Sequence, residues 1–233
     1  MAIRVGHASL GETKKTKNNK AGDNTGSEVV IRSYYNSDWE FILRCKDKQK
    51  AEVMAKACED GCNNKNVGYD QDERNTLRVQ AKAVNWDLSK ITTPCECDCS
   101  SFMTVCAEAA GINIPYTNNN APTTATMRTA FKSTGMFDIF TPTISKKRGD
   151  ILVKNGHTVM VLDDEEITIS LPVLRKGCKE SSVGALQKLL GIDCDNSFGP
   201  KTLEAVKEYQ KANSLEADGV VGRKTWSKLL GAE

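Results

Sequence analysis

The fold is decided around residues 95–115, CECDCSSFMTVCAEAAGINIP, which predict a helix that begins at or just after a cysteine. Apolar side chains recur at helical spacing between positions 100 and 110; they are Phe102, Val105, Cys106 and Ala109. Gly111 supplies a stop signal. Cys99 is therefore placed at a helix N-terminus, where unpaired N–H groups and the helix dipole favour a thiolate and could hold an oxyanion.

A nucleophilic cysteine needs a nearby base, and the chain has only two histidines, His7 and His157. His157 lies in KRGDILVKNGHTVMVLDD, residues 147–164. Two apolar runs on either side of a turn predict a β-hairpin there, with His157 opening the second strand. A rigid strand could aim this imidazole at the end of the cysteine-bearing helix.

The region before the cysteine-bearing helix shows both strand and helix periodicity. Two alternating segments, residues 28–35 and 39–45, predict strands joined by a turn. Two helices are expected to follow. The first is capped by Asp47 and stops at Gly61, and the second covers residues 71–84.

The last sixty residues predict a separate helical unit. Three short amphipathic segments are visible, near Ser181, Pro200 and Arg223. The motif NSFGPKTLEAV from Asn196 recurs as DGVVGRKTWSKLL from Asp218, which indicates a repeated turn–helix unit. Trp226 is most economically a core residue of so small a unit, but Trp226 and Asp218 are also candidate substrate contacts.

Composition excludes several classes of protein. The 233 residues carry 32 basic and 30 acidic side chains, and a net charge of +2 argues against strong sequence-independent binding to nucleic acid. No apolar run approaches the roughly 18 residues that span a bilayer, so we expect no membrane insertion. The N-terminus lacks the layout of a secretory signal, and an odd number of cysteines, nine, fits a reducing cytosol.

The C-terminal residues 171–230 resemble the three-helix peptidoglycan-binding domain found on many bacterial and phage cell-wall hydrolases. The resemblance is carried by the FGPKT turn paired with the DGVVGRKTW turn. One departure is that the family's acidic-Gly turn appears here as Asp195-Asn196-Ser197. The resemblance implies that this domain anchors the protein to bacterial peptidoglycan.

Residues 67–164 resemble the NlpC family of papain-like cell-wall cysteine peptidases. The motifs are DCSSF at residues 98–102 and the GDI…HT hairpin at residues 149–158. The resemblance implies that Cys99 is the nucleophile and His157 the general base, with no metal or cofactor. It also implies contacts to substrate from the motif's polar residues, which are Asp98, Ser100 and Ser101.

The third polar group that orients the histidine in this family has no obvious counterpart. The strand that would carry it offers only Thr168 and Ser170. His7 is a candidate for that role or for a substrate contact. Tyr69 stands where the family often has a tyrosine near the active site, so Tyr69 is a candidate for stabilising the tetrahedral intermediate, with simple packing as the alternative.

A zinc site is an alternative interpretation of the bunched cysteines at positions 95 and 97. Structural zinc sites prefer two to four residues between cysteines and a second close pair elsewhere. The chain offers only Cys58 and Cys62 as such a pair, so the spacing disfavours metal binding.

Together these features predict an α+β protein in two domains. Residues 1–168 are expected to form a papain-like catalytic domain with an N-terminal extension, and residues 169–233 an all-α three-helix peptidoglycan-binding domain. We expect a monomeric, endolysin-like hydrolase that cuts stem-peptide amide bonds, most simply as an endopeptidase. It would be made in the bacterial cytoplasm without a signal peptide and reach the wall at phage lysis. The alternatives are an N-acetylmuramoyl-L-alanine amidase, a bacterial autolysin and a non-catalytic murein-binding protein.

Overall fold

The computed structural model divides the chain into two compact units, residues 1–167 and 168–233. The structure describes four ranges of the chain, which are residues 3–11, 13–22, 28–165 and 171–231. No helix within these ranges is long and apolar enough to cross a membrane.

The first unit mixes strands and helices. Its strands are β1 (Arg4–Ala8), β2 (Val29–Ser33), β3 (Phe41–Cys45), β4 (Val67–Tyr69), β5 (Cys95–Cys97), β6 (Phe137–Phe140), β7 (Ile151–Lys154) and β8 (His157–Val161). Its α-helices are α1 (Lys48–Asn63), α2 (Thr76–Ala83), α3 (Cys99–Ala109) and α4 (Thr124–Ser133). The α+β class expected from the sequence is confirmed.

Six of these strands form one antiparallel sheet in the order β2-β1-β8-β7-β3-β6, while β4 and β5 form a separate parallel pair. The β7–β8 hairpin has His157 opposite Lys154, with Gly156 at φ +77° in the turn, where a residue without Cβ is favoured. The sequence predicts that β2 and β3 are joined by a simple turn, but in the sheet three other strands lie between them. The reason is β1, which pairs with β2 through Gly6 and Ile31 and so takes the place of a local partner.

The sheet has two different faces. One packs against α1 and α3 in the main core. Gly6 permits the close approach of α1, because a Cβ there would lie 2.1 Å from Cys58 Sγ. The opposite face carries a smaller apolar cluster, whose members are Ile3, Val5, Trp39, Ile42, Leu152, Val159 and Val161. His7 lies opposite Val159 in the sheet register, so the two histidine-bearing strands are direct neighbours.

Helix α1 begins at the predicted cap, with Asp47 accepting from two backbone N–H groups, but it does not end at Gly61. Gly61 lies inside the helix, where a Cβ would come within 2.6 Å of the Phe102 ring, so this glycine serves close helix packing rather than termination. Helix α2 begins at Thr76 rather than at residue 71, because a carboxylate-capped turn precedes it.

The second unit, over residues 171–231, contains three helices, α5 (Ser181–Leu189), α6 (Pro200–Ala212) and α7 (Arg223–Leu229). They enclose a small core of Leu174, Val183, Leu186, Phe198, Val206, Val221 and Trp226. Three helices are what the sequence predicts for this region, and Pro200 opens α6 as expected.

The sequence repeat is also a structural repeat. Gln187 Nε2 donates to Asp195 Oδ1 and to Thr202 Oγ1, at 2.7 and 3.0 Å. In the second copy, Gln210 makes the same pair of bonds, at 2.9 and 3.2 Å, to the aspartate and threonine of the second turn. Asn196 adopts φ +58°, matching the glycine of the second turn at +76°, so the departure from the acidic-Gly pattern leaves the loop conformation intact.

Candidate functional site

Cys99 is the first residue of α3, and the turn before it is held rigidly. The Asp98 carboxylate accepts from Ser101 N at 2.7 Å, and Ser101 Oγ accepts from Asp98 N at 2.9 Å. This reciprocal capping box fixes the start of the helix. The thiol sits at the helix end that the sequence predicts, and Cys99 is only 5% exposed.

The protonation of Cys99 differs from the sequence expectation. Burial first, and then the Asp98 carboxylate, raise the pKa of the Cys99 thiol to about 12. Hydrogen bonds from the backbone N–H groups of Ser100 and Thr158 lower the same pKa, but by less. The resting protein therefore holds a neutral thiol at pH 7, because loss of hydration outweighs the helix N-terminus.

His157 opens β8 and is engaged through one ring nitrogen. Its Nε2 lies 2.9 Å from the hydroxyl of Tyr35 and 3.2 Å from Nδ1 of His7. The indole of Trp39 stacks on the imidazole, with 6.1 Å between ring centroids and an interplanar angle of 29°. Burial, aided by the positive charges of Lys154 and a nearby arginine, lowers the pKa of His157 to about 4, so the imidazole is neutral at pH 7.

His7 and Tyr35 complete what we call the histidine–tyrosine cluster, which consists of His7, Tyr35 and His157. The hydroxyl of Tyr35 lies 2.9 Å from His7 Nδ1 as well. Burial and the neighbouring His157 lower the pKa of His7 to about 4, and burial raises the pKa of Tyr35 to about 12. The structure thus brings both predicted histidines together, and it adds a tyrosine that the sequence argument missed.

The Cys99 thiol and the His157 imidazole both lie near the start of β8, but they contact different groups. Cys99 reaches it from α3, where its sulfur meets the N–H of Thr158, the residue directly after His157. The His157 ring contacts the rings of His7 and Trp39, on the face of the sheet opposite α3. Among the described residues, no hydrogen bond joins the Cys99 sulfur to His157. Such contacts are often long or poorly aligned before substrate binds.

Arg74 holds the residues on either side of Cys99 in place. Its guanidinium donates to Asp98 Oδ2 at 2.6 Å, to Ser100 Oγ at 2.8 Å and to the carbonyl of Ala121 at 2.8 Å. The Arg74–Asp98 ion pair is almost fully buried. Asp98, Ser100 and Ser101 are the expected substrate contacts. All three are buried and hydrogen-bonded within the protein, and Asp98 and Ser100 also line the cleft beside Cys99.

A cleft of about 290 Å³ opens beside Cys99. Its walls come from several segments, and they are Lys17, Gln71, Arg74, Asp98, Cys99, Ser100, Thr123, Thr124 and Gly156. Tyr69 lies behind this wall, 3% exposed, and its hydroxyl accepts from Gln71 Nε2 at 3.2 Å. Burial and the nearby Cys99 raise the pKa of Tyr69, so it is a neutral phenol close to the thiol.

Outside the cleft, the remaining candidates have structural partners. Trp226 is 3% exposed and its indole N–H donates to the carbonyl of Pro172 at 2.9 Å, which favours a core role. Asp218 is exposed and caps its own turn through Val220 N at 2.8 Å. Thr168 and Ser170, considered for the third catalytic group, lie outside the described residues.

The bunched cysteines act as core thiols. Cys95 and Cys97 are buried, and each sulfur donates to a backbone carbonyl of the segment around β4, at 3.5 Å. Within the described ranges, no group of three or more His, Cys, Asp or Glu side chains could hold a metal ion.

Comparison with known families places two domains on the chain. A family model described as "Endolysin-like domain" matches residues 5–168, and one described as "Putative peptidoglycan binding domain" matches residues 181–229. The first match covers the first compact unit and ends one residue beyond it, and the second match lies within the second unit.

Two individual proteins are similar to parts of the chain. An "Uncharacterized protein in bpoA1 3'region" of Kitasatospora aureofaciens is 42% identical over 67 residues, which cover 26% of this chain and 57% of that protein. The chain thus spans little more than half the length of this relative. A peptidoglycan-binding protein from Clostridioides difficile, crystallised with glutamine hydroxamate, is 20% identical, covers 67% of this chain and 87% of that chain, and has a TM-score of 0.25.

Proposed function

The chain belongs to the endolysin-like domain family, and from that premise we propose that it is a peptidoglycan hydrolase with a papain-like thiol mechanism. The observation that carries the proposal is the setting of Cys99, which stands at a helix N-terminus beside an open cleft and against the first residues of the strand that His157 begins. The peptidoglycan-binding domain in the second unit would hold the enzyme on its polymeric substrate.

Cys99 attacks a substrate carbonyl carbon in the first chemical step. As the S–C bond forms, the thiol proton passes to Nδ1 of His157, since Nε2 already faces the other members of the histidine–tyrosine cluster. This step requires substrate binding to bring the thiol and the imidazole, which make no hydrogen bond at rest, within reach of each other. The carbonyl oxygen gains the electron pair and takes hydrogen bonds from the N-terminal amides of α3. Gln71 lines the same cleft as Cys99 and donates to the Tyr69 hydroxyl, so we assign these two side chains a secondary role at the oxyanion.

Collapse of this tetrahedral species breaks the C–N bond, and His157 returns its proton to the leaving amine. A thioester on Cys99 remains. Water then attacks the thioester carbon, giving one proton to His157, and the sulfur leaves and recovers that proton as the thiol. A neutral imidazole is needed at the start of both steps, and the lowered pKa of His157, about 4, supplies it at neutral pH.

For the scissile bond, we favour an endopeptidase that releases a diamino-acid amino terminus. The alternative within the same mechanism is an amidase that frees the amino terminus of alanine. We further propose that the protein acts on the wall after release at phage lysis.

Digestion of purified peptidoglycan tests the proposal. The full chain and its Cys99→Ala and Cys99→Ser variants are incubated with the polymer under reducing conditions, and the products are identified by mass spectrometry and by their new amino termini. Cys194→Ala is the matched control, because Cys194 is an exposed cysteine in the other unit. We expect fragments from the native chain and the control only. Equal release by Cys99→Ala would refute the thiol mechanism, and no release by any form, with binding intact, would leave a murein-binding protein.

A further inference from the structure

We propose that Tyr35 is a positioning residue that, together with His7, holds His157 in the tautomer protonated on Nε2. This inference rests on the function proposed above, since it specifies which nitrogen of His157 accepts the thiol proton. Neither the family matches nor the sequence motifs assign any role to Tyr35.

The geometry of the cluster requires a defined number of protons. Tyr35 Oη, His7 Nδ1 and His157 Nε2 form a triangle with sides of 2.9, 2.9 and 3.2 Å. Two imidazole nitrogens at 3.2 Å repel if both present lone pairs, so one of them carries hydrogen. The phenol supplies the second proton of the triangle, and its oxygen can accept while its O–H donates.

Only two neutral arrangements satisfy this geometry. In one, His157 Nε2–H donates to the phenol oxygen and towards His7, the phenol donates to His7 Nδ1, and the outer nitrogen of His7 is protonated. In the other, His7 Nδ1–H donates, the phenol donates to His157 Nε2, and His157 is protonated on Nδ1. The tautomers of the two histidines are therefore opposite and coupled through Tyr35.

The mechanism selects the first arrangement. It leaves a lone pair on His157 Nδ1, the nitrogen that accepts the Cys99 proton in the mechanism proposed above. When that proton arrives, Nε2–H is already donated to the neutral phenol oxygen of Tyr35, so the imidazolium forms without any rearrangement of the cluster. The second arrangement leaves an N–H at Nδ1 and no base for the thiol.

Tyr35 can be altered without removing its packing. Its ring lies 5.8 Å from the His7 ring and 5.8 Å from the Trp39 ring, centroid to centroid, and Tyr35→Phe keeps both contacts. Tyr34→Phe is the matched control, because Tyr34 is also half-buried in the apolar cluster on this face but faces Lys146, whose Nζ lies 5.5 Å from its ring.

Kinetics and nitrogen NMR test the proposal together. We expect Tyr35→Phe to lower kcat about 10- to 100-fold with little change in KM, as removal of a group that orients an active histidine does, and Tyr34→Phe to match the native chain. Long-range ¹H–¹⁵N spectra of the two histidines, assigned with His7→Asn, should show His157 as the Nε2–H tautomer in the native chain and a mixture in Tyr35→Phe.

Three results distinguish a failure of the inference about Tyr35 from a failure of the proposed function. An Nδ1–H tautomer of His157 in the native chain overturns the inference without any variant. Native kcat and an unchanged tautomer in Tyr35→Phe also overturn it, while loss of activity in Cys99→Ala keeps the proposed function. Activity that survives in Cys99→Ala refutes the proposed function itself, whatever Tyr35 does.

Discussion

The resting state of Cys99 can be measured as a reaction rate with a small aromatic disulfide. Burial raises the pKa of this thiol to about 12, against an ordinary value of 9.0. At pH 8 the thiolate is about 10⁻¹ of an ordinary cysteine but only about 10⁻⁴ of Cys99. The more basic thiolate is the better nucleophile. With a Brønsted coefficient of about 0.45, its rate constant is roughly 20-fold higher, which offsets part of the loss in thiolate fraction. We therefore expect Cys99 in the native chain to react about 50-fold more slowly than an ordinary thiol.

The assay uses a chain with Cys178→Ser and Cys194→Ser, because these are the two cysteines that are not buried. The rate is followed between pH 6 and pH 10, and modification of Cys99 is identified by mass spectrometry. The same chain unfolded in denaturant provides the ordinary thiol. Limited access to the buried sulfur would slow the native reaction further, so about 50-fold is the smallest expected difference.

The opposite outcome is equally clear. If native Cys99 reacted faster than the unfolded chain, with a rate that reached its plateau below pH 7, a thiolate would already exist at rest. The helix N-terminus would then outweigh burial, as the sequence pattern predicts, and the argument from desolvation would be wrong.

Three further predictions concern the same unit. Arg74→Gln should lower the free energy of unfolding by about 3–5 kcal/mol in urea titrations, because it leaves the Asp98 carboxylate buried without its cation. The pH profile of kcat/KM should keep full activity down to about pH 5 and fall near pH 4, because protonation of His157, whose pKa is lowered to about 4, removes the base. Gly6→Ala should destabilise the fold by about 1–3 kcal/mol, since its Cβ would overlap Cys58 Sγ at 2.1 Å.

The two stability predictions each have a matched control. Lys17→Gln breaks the exposed pair with Asp72 and should change the free energy of unfolding by less than about 1 kcal/mol. Gly199→Ala places a Cβ in open space and should cost only the difference between two N-cap residues of α6, less than about 1 kcal/mol. Equal losses in Arg74→Gln and Lys17→Gln, equal losses in the two glycine variants, or an acid limb of activity near pH 6.5 would contradict the respective arguments.

Local signals in the sequence predicted the elements that carry the nucleophile and the base. The spacing of apolar residues after Cys99 predicted α3, and the Asp98 cap is a short-range feature. The β7–β8 hairpin was predicted because its turn residues and its apolar alternation lie within one short segment. In each case the interactions that decide the structure join residues close together in the chain.

Features that depend on distant contacts could not be predicted in this way. In the sequence, Gly61 is a typical signal for the end of a helix. Only its close packing against the Phe102 ring across the core explains why a glycine lies inside α1. Tyr35 looks like its neighbour Tyr34 in sequence, and only the register of the sheet gives one of them two histidine partners. The pKa of Cys99 likewise depends on burial, which the helix pattern alone does not measure.

In the proposed mechanism, the N-terminal segment is part of the catalytic site rather than an extension to it. β1 lies between β2 and β8, so it covers the edge of the strand that carries the general base. The same segment brings His7 and Tyr35 to Nε2 of His157. Within the described residues, the groups that contact this nitrogen come from before α1, so in the proposed mechanism the orienting role is expected of that segment rather than of residues after β8. The strands β1, β2 and β3 of the same segment make up half of the six-stranded sheet.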